Sequence, residues 1–181
     1  MLSLYFLSFF SGGLLQLTDH LVDKKGPRVR NFEYVSSFWA GLIIGYLISQ
    51  DAVFSTVFLG VIAANLLMGK VDAKALWLMF VPLLVMLAFK GVAAPSLLLL
   101  ALFAVAGMLD EFLHDRGEKK GKRTGKEKAG AIAGAVSFLS KNRLFTDLFA
   151  LGVSLVSGNP SYFFAIATFD AGYLFSSRLY R

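Results

Sequence analysis

The sequence predicts an all-α, polytopic membrane protein of about seven transmembrane helices, arranged as two three-helix repeats joined by a linker helix. Three observations lead to this prediction. The 181-residue chain is 56% hydrophobic and only 17% charged, with a mean hydropathy of +0.65, whereas soluble domains are roughly half apolar and a quarter charged. The apolar residues fall into runs close to the length that a bilayer requires. The charged residues are concentrated between these runs.

Seven apolar segments have close to the length of a membrane span, because a spanning helix needs about 20 mainly apolar residues. They are residues 2–18, 34–50, 52–69, 75–89, 91–109, 144–157 and 161–177. The fourth segment is short and contains Pro82. Asn159-Pro160 indicates a turn between the last two segments. Gln50-Asp51 is interpreted as the corresponding turn between the second and the third.

Two apolar stretches need a separate interpretation. Residues 1–18 carry no charge and lack the basic segment of a cleavable signal, so we expect a mature spanning helix there. Residues 129–140 are too short to cross a bilayer comfortably. We predict an interfacial or half-inserted helix, and an eighth full span is the alternative. Within the other spans, Gly12-Gly13 and the pair Gly41/Gly45 suit close helix packing.

The orientation follows from the positions of lysine and arginine, which favour cytoplasmic segments. With seven spans, the four most basic parts of the chain fall on one side of the membrane. These parts contain Lys24, Lys25, Arg28 and Arg30; Lys70 and Lys74; Arg116, Lys119, Lys120, Lys122, Arg123, Lys126 and Lys128; and Arg178 and Arg181. The prediction is a multi-pass cell-membrane protein with its N-terminus outside and its C-terminus in the cytoplasm.

The order of helix, basic segment, helix, tight turn and helix occurs twice. This order predicts a first repeat over residues 1–72, a linker helix over 73–90 and a second repeat over 91–181, within a single transmembrane domain. The octet LTDHLVDK at 17–24 is similar to LDEFLHDR at 109–116 at five of its eight positions. An odd linker helix lets the two units run in the same direction across the membrane, as in other parallel-repeat membrane proteins.

The repeated octets also predict a site. Asp19 and Asp23 are four residues apart and share one helix face, as do Glu111 and Asp115. If the two units pack about a pseudo-two-fold axis, these pairs and Asp110 come together at one membrane face. Magnesium prefers oxygen ligands and bridges carboxylates to phosphates, so we expect all five acids to be metal ligands. The alternative is a pair of solvated helix ends with local salt bridges.

The two acidic motifs resemble those of the UbiA superfamily of intramembrane prenyltransferases, in which an aspartate-rich motif closes a helix in each of two repeated units. The first motif is Gln16-x-x-Asp19-x-x-x-Asp23, and the second contains Asp110, Glu111 and Asp115, followed by RGEKKGKRTG. Three helices separate the motif helices in that family, as in this chain. The seven spans would match the family core without its first and last helices.

The resemblance implies a Mg²⁺-dependent prenyltransferase that acts at the cytoplasmic face on an isoprenyl or other lipid pyrophosphate. Two Mg²⁺ ions held by Asp19, Asp23, Glu111 and Asp115, the catalytic candidates, would orient the pyrophosphate and stabilise its departure. Asp170 is a further candidate, because a charge inside a predicted span is costly and typical of function. The substrate-binding candidates are Gln16, Lys24, Arg28, Arg116, Lys119 and Asp170.

Other functions stay open at this point. A small-solute or cation transporter or channel would also explain parallel repeats and Asp170, and a structural subunit without a site is a third reading. The absence of cysteine excludes disulfides and a cysteine nucleophile. Nucleic-acid binding has no support beyond the net charge of +6. The expected partners are membrane lipids and a lipid phosphate, with a second copy of the chain left open.

Overall fold

The computed structural model describes residues 1–23, 31–121 and 145–179, with side chains up to residue 113 in the second range. Within these ranges the regular structure is entirely helical, as the sequence predicts, and contains no strand. The helices are α1 (Leu2–Asp23), α2 (Phe32–Gln50), α3 (Ala52–Leu67), α4 (Lys74–Leu78), α5 (Phe80–Lys90), α6 (Leu97–Gly121), α7 (Phe145–Ser157) and α8 (Ser161–Leu179). The predicted helix at 129–140 lies outside the described residues.

Six of the seven predicted spans correspond to one helix each and the fourth to both α4 and α5, but the helices differ in length and apolarity. Among the described residues, α2 is the one helix that is both long and apolar enough to cross a membrane, at 19 residues. Helices α3 and α7 are apolar but shorter, with 16 and 13 residues. The described residues therefore establish an all-helical protein with one helix of spanning length and composition.

Two segments differ from their predicted bounds for local reasons. The predicted span at 75–89 is interrupted at Met79, three residues before Pro82, because proline has no N–H to donate to the Leu78 carbonyl and its ring crowds that oxygen. The predicted span at 91–109 begins only at Leu97. Gly91 has a positive φ of 78°. Ala94 precedes Pro95, and the residue before a proline is sterically hindered from adopting the helical conformation.

Both predicted tight turns are confirmed. The Asp51 carboxylate accepts hydrogen bonds from the backbone N–H groups of Val53 and Phe54, at 2.8 and 3.4 Å, and so caps α3. The Asn159 side chain accepts one from the Ser161 N–H at 3.1 Å, at the start of α8. We call the end of the bundle that contains Gln50-Asp51 and Asn159-Pro160 the turn end.

The helices pack in a closed order. Each of α1, α2, α3, α6, α7 and α8 contacts the next, and α8 returns to α1. Helices α3 and α8 also touch across the middle, where the rings of Phe58 and Phe169 lie 5.5 Å apart, while α4 and α5 pack on α2. Exchanging α1–α3 for α6–α8 leaves this order unchanged. The predicted repeat and its bounds stay a prediction, with which the order is compatible.

Glycines permit the closest helix contacts. A Cβ added at Gly12 would overlap the Phe169 carbonyl oxygen, and one added at Gly172 would overlap the Phe9 carbonyl oxygen, so α1 and α8 approach each other reciprocally. Gly41 faces the Met79 carbonyl in the same way. The predicted packing role of Gly12 and Gly41/Gly45 is confirmed, since Gly45 also lies against α5.

The interior combines two apolar clusters with buried hydroxyl and carboxyl groups, and the surface is rich in apolar side chains. Large apolar side chains are exposed over the whole surface, including Leu2, Phe6, Phe89, Leu97, Leu155 and Val156, each at least 64% exposed. The buried polar side chains are Ser8, Ser11, Thr18, Ser36, Ser37, Ser55, Thr56, Asp110, Glu111, Thr146, Ser154 and Ser176. Several bond across helices, as when the Ser8 hydroxyl donates to the Ala165 carbonyl at 2.9 Å.

Candidate functional site at the polar end

Polar side chains connect five of the six neighbouring helix pairs at the end opposite the turn end. We call this the polar end and define it by Thr18, Asp19, Ser36, Lys70, Asp110, Glu111, Thr146, Asp147, Asp170 and Tyr173. The sixth pair, α2 and α3, is joined at the turn end by its short connection. The polar end therefore contains acids from α1, α6, α7 and α8 at one level of the bundle.

Helix α6 turns its acids inward. Asp110 and Glu111 are only 6% and 7% exposed, whereas the flanking Leu109 and Phe112 are each 43% exposed. On a helix end in water, the acids would be exposed and the apolar residues buried, because burying a carboxylate is costly unless it is paired. Both acids are therefore buried and not solvated, although Glu111 forms an ion pair of the kind that the alternative predicts.

Glu111 pairs with a lysine that follows α3. The Lys70 Nζ lies 3.3 Å from the Glu111 carboxylate, and the two side chains are 32% and 9% exposed. Gly69, at φ 66°, ends the helix and directs the chain toward α6. The partly exposed ammonium therefore neutralises the charge of the buried carboxylate.

Asp110 binds the beginning of α7. Its carboxylate accepts from the Thr146 hydroxyl at 3.1 Å and from the Thr146 backbone N–H at 3.5 Å, where the helix dipole favours a negative charge. Thr18 occupies the place of Asp110 in the first octet, and its hydroxyl lies 2.8 Å from that of Ser36 at the beginning of α2. The matching octet positions thus make matching contacts to the next helix.

Asp19 is positioned by α8. The Tyr173 hydroxyl donates to its carboxylate at 3.1 Å, and Asp19 is half-buried. Asp23, one turn further along α1, is exposed at the helix end. The Gln16 side-chain oxygen is buried and has no hydrogen-bond partner among the described residues. The three motif residues of α1 therefore range from a buried amide to an exposed acid.

Asp170 interacts with Asp147 on the neighbouring helix. Asp147 belongs to the first turn of α7, so this contact brings Asp170 to the polar end even though it lies in the middle of α8. Both acids line a groove of about 380 Å³ between α7 and α8. Asp110 is close enough to Asp147 to interact with it electrostatically.

The structure therefore describes the side-chain positions of only some of the predicted site residues. Asp19, Asp110 and Glu111 lie at the polar end, each with a different partner, and no three metal-ligating side chains come together among the described residues. Asp115, Arg116 and Lys119 lie further along α6, outside the described side chains, and Lys24 and Arg28 lie outside the described residues.

Six residues of the polar end are not among the predicted site residues: Thr18, Ser36, Lys70, Thr146, Asp147 and Tyr173. The position of Lys70 in the sequence indicates only the membrane topology, and no motif includes Thr146 or Tyr173. Spacing offered one signal: Tyr173 is three residues after Asp170 and so lies near it on α8. No spacing rule pairs Lys70 with Glu111, because that contact depends on how α3 packs against α6.

Comparison with known proteins finds no match for this chain, either among family models, among curated proteins or among solved structures. The functional assignment therefore depends on the residues of the polar end.

Proposed function

We propose that the protein is a multi-pass integral membrane protein whose polar end faces the cytoplasm. Two features support this proposal: exposed leucine and phenylalanine side chains suit lipid, and buried serine and threonine hydroxyls bond across helices, as they do in membrane bundles. The basic segments that follow α1 and α6 in the sequence adjoin the polar end, which supports the orientation. Helices α3 and α7 would need only local bilayer thinning to span.

We further propose that the polar end binds a lipid pyrophosphate together with Mg²⁺, as a prenyltransferase-like enzyme does. One observation carries this proposal. The two helices with acidic octets, α1 and α6, occupy opposite places in the closed helix order, and Asp19 and Glu111 lie at the same end of the bundle. Carboxylates at one level of the bundle suit a pyrophosphate bridged by metal ions, because Mg²⁺ is commonly bound by one or two carboxylates together with substrate phosphates.

The donor chemistry of the polar end fits Mg²⁺, because the candidate ligands are carboxylate oxygens. Asp19, Glu111 and Asp115 would hold the metal, with Asp23 and Asp110 beside them. Asp115 is essential to the proposal, since the described side chains alone do not bring three ligands together, and it lies one helical turn beyond Glu111. When bound, Mg²⁺ would neutralise the pyrophosphate and favour its departure.

The remaining residues would bind and orient the substrate. Lys70 would contact a phosphate oxygen, together with the basic residues Lys24, Arg28, Arg116 and Lys119. The Gln16 amide would donate to the same group, and Tyr173 would hold Asp19 in place. An apolar chain attached to the pyrophosphate would lie among the apolar side chains of the bundle or in the lipid beside it.

The test is ligand-dependent stabilisation of the purified protein in detergent. A prenyl pyrophosphate with Mg²⁺ should raise the melting temperature, since a ligand at 100 times its Kd stabilises by about 2.7 kcal/mol. Asp19→Asn and Asp115→Asn should abolish the shift. Asp72→Asn removes an exposed acid outside the site and should retain it.

The contrary result would be the same melting temperature with and without Mg²⁺ and the pyrophosphate in the wild-type protein. In that case the second candidate, a cation transporter or channel, becomes preferable. The neighbouring carboxyl groups of Asp147 and Asp170 favour the transporter, because acids within a membrane bundle typically mark ion pathways. Uptake of the cation into liposomes, lost in Asp170→Asn, would support the transporter.

A further inference from the structure

The groove between α7 and α8 adjoins the polar end and combines two features to which the proposed pyrophosphate binding assigns no role. Its walls are apolar and open outward, with Leu148, Leu151 and Leu174 between 38% and 50% exposed. Asp147 and Asp170 also line it. A volume of about 380 Å³ is within the range of small-molecule sites.

The two carboxyl groups make the groove electrostatically negative. They lie close enough to interact directly, and both line the groove. Asp110 lies near Asp147, and its carboxylate accepts from the Thr146 hydroxyl. An ammonium group can donate to both groove carboxyls, because it carries three N–H donors.

We propose that this groove binds an amphiphile with a cationic ammonium head, which enters from the bilayer. The ammonium lies between Asp147 and Asp170, and the alkyl chain lies against the leucines of α7 and α8. The inference rests on charge complementarity, since a cationic head suits the two carboxyl groups that line the groove. It is independent of the proposed enzyme function.

The experiment uses the full chain in phosphatidylcholine vesicles and three spin-labelled probes with the same C18 chain: an amine, an alcohol and a carboxylic acid. The immobilised fraction of each probe, measured by electron paramagnetic resonance, gives its relative association constant. The amine should bind about tenfold more strongly than the alcohol, as charge-assisted hydrogen bonds are stronger than neutral ones. The fatty acid should bind least.

Variants distinguish recognition of the ammonium head from binding of the alkyl chain in the groove. Asp147→Asn and Asp170→Asn should each reduce the preference for the amine over the alcohol by about tenfold. Leu151→Trp fills the groove and should reduce the binding of all three probes. Asp72→Asn changes the net charge equally but lies away from the groove, and it should bind as the wild type does.

Two results would overturn the inference. One is equal association of amine and alcohol with the wild-type protein, which would indicate an apolar groove without head recognition. The other is the same loss in Asp72→Asn as in Asp170→Asn, which would indicate attraction by net charge. If an Asn variant does not fold, Leu151→Trp and the comparison of the three probes decide the question. Loss of Mg²⁺ and pyrophosphate binding in Asp19→Asn would not change the amine result.

Discussion

Two buried carboxylates show how this protein accommodates charged groups in its interior. In α6 the carboxylates of Asp110 and Glu111 are buried between exposed apolar neighbours, and each is bonded to a group from another helix. Removing one member of a buried ion pair leaves an uncompensated charge, which is strongly destabilising. The Lys70–Glu111 pair is weaker than a fully buried one, because Lys70 is 32% exposed and solvent screens its charge.

The glycines permit a prediction at the residue scale. Gly172→Ala should destabilise the protein by about 1–3 kcal/mol, because the added methyl group meets the Phe9 backbone carbonyl, which no rotamer change can move. Gly152→Ala is the matched control, since a Cβ at that helical position meets nothing within 4 Å. The free energy of unfolding in mixed micelles would measure both. Equal stability of the two variants would mean that α1 and α8 are not in close contact.

Helices of this protein are interrupted where the sequence has a local cause. The break between α4 and α5 follows from Pro82, and the two pieces remain nearly continuous: the Met79 N–H donates to the Leu76 carbonyl at 3.2 Å and the Met79 carbonyl accepts from the Leu83 N–H at 3.3 Å. Proline in a helix interior costs about 3 kcal/mol relative to alanine. The break thus depends on one missing N–H group and one ring.

Pro82→Ala should therefore join α4 and α5 into one helix over residues 74–90. The new N–H group can donate to the Leu78 carbonyl, and the steric conflict with that oxygen disappears. The backbone ¹³C chemical shifts of Leu78 and Met79 should move to helical values, with added protection of residue 82 from hydrogen exchange. Unchanged shifts at Met79 would show that packing on α2, and not Pro82, causes the interruption. Val81→Ala, one residue away, serves as the control.

At the scale of the whole molecule, the sequence predicted the order of the helices and the turns but not how they pack. Apolar runs and the residues Asp51 and Asn159 depend on local chemistry, so both could be identified without a structure. The start of α6 could not be placed, because Gly91 and Pro95 lie within an apolar run. The closed order of helices, and with it the contacts of Lys70 and Tyr173, depends on close approach at glycines far apart in the chain.

The membrane topology can be tested directly because the chain has no cysteine, so that a single introduced cysteine is the only reactive thiol. Gln50 at the turn end and Asp72 in the connection that follows Lys70 are both exposed. In intact cells, a membrane-impermeant maleimide should label Gln50→Cys and not Asp72→Cys, and both should react after permeabilisation. This pattern follows if the polar end faces the cytoplasm, where lysine-rich segments are retained. Labelling of both variants in intact cells would contradict a bundle that spans the bilayer, and the reverse pattern would place the polar end outside.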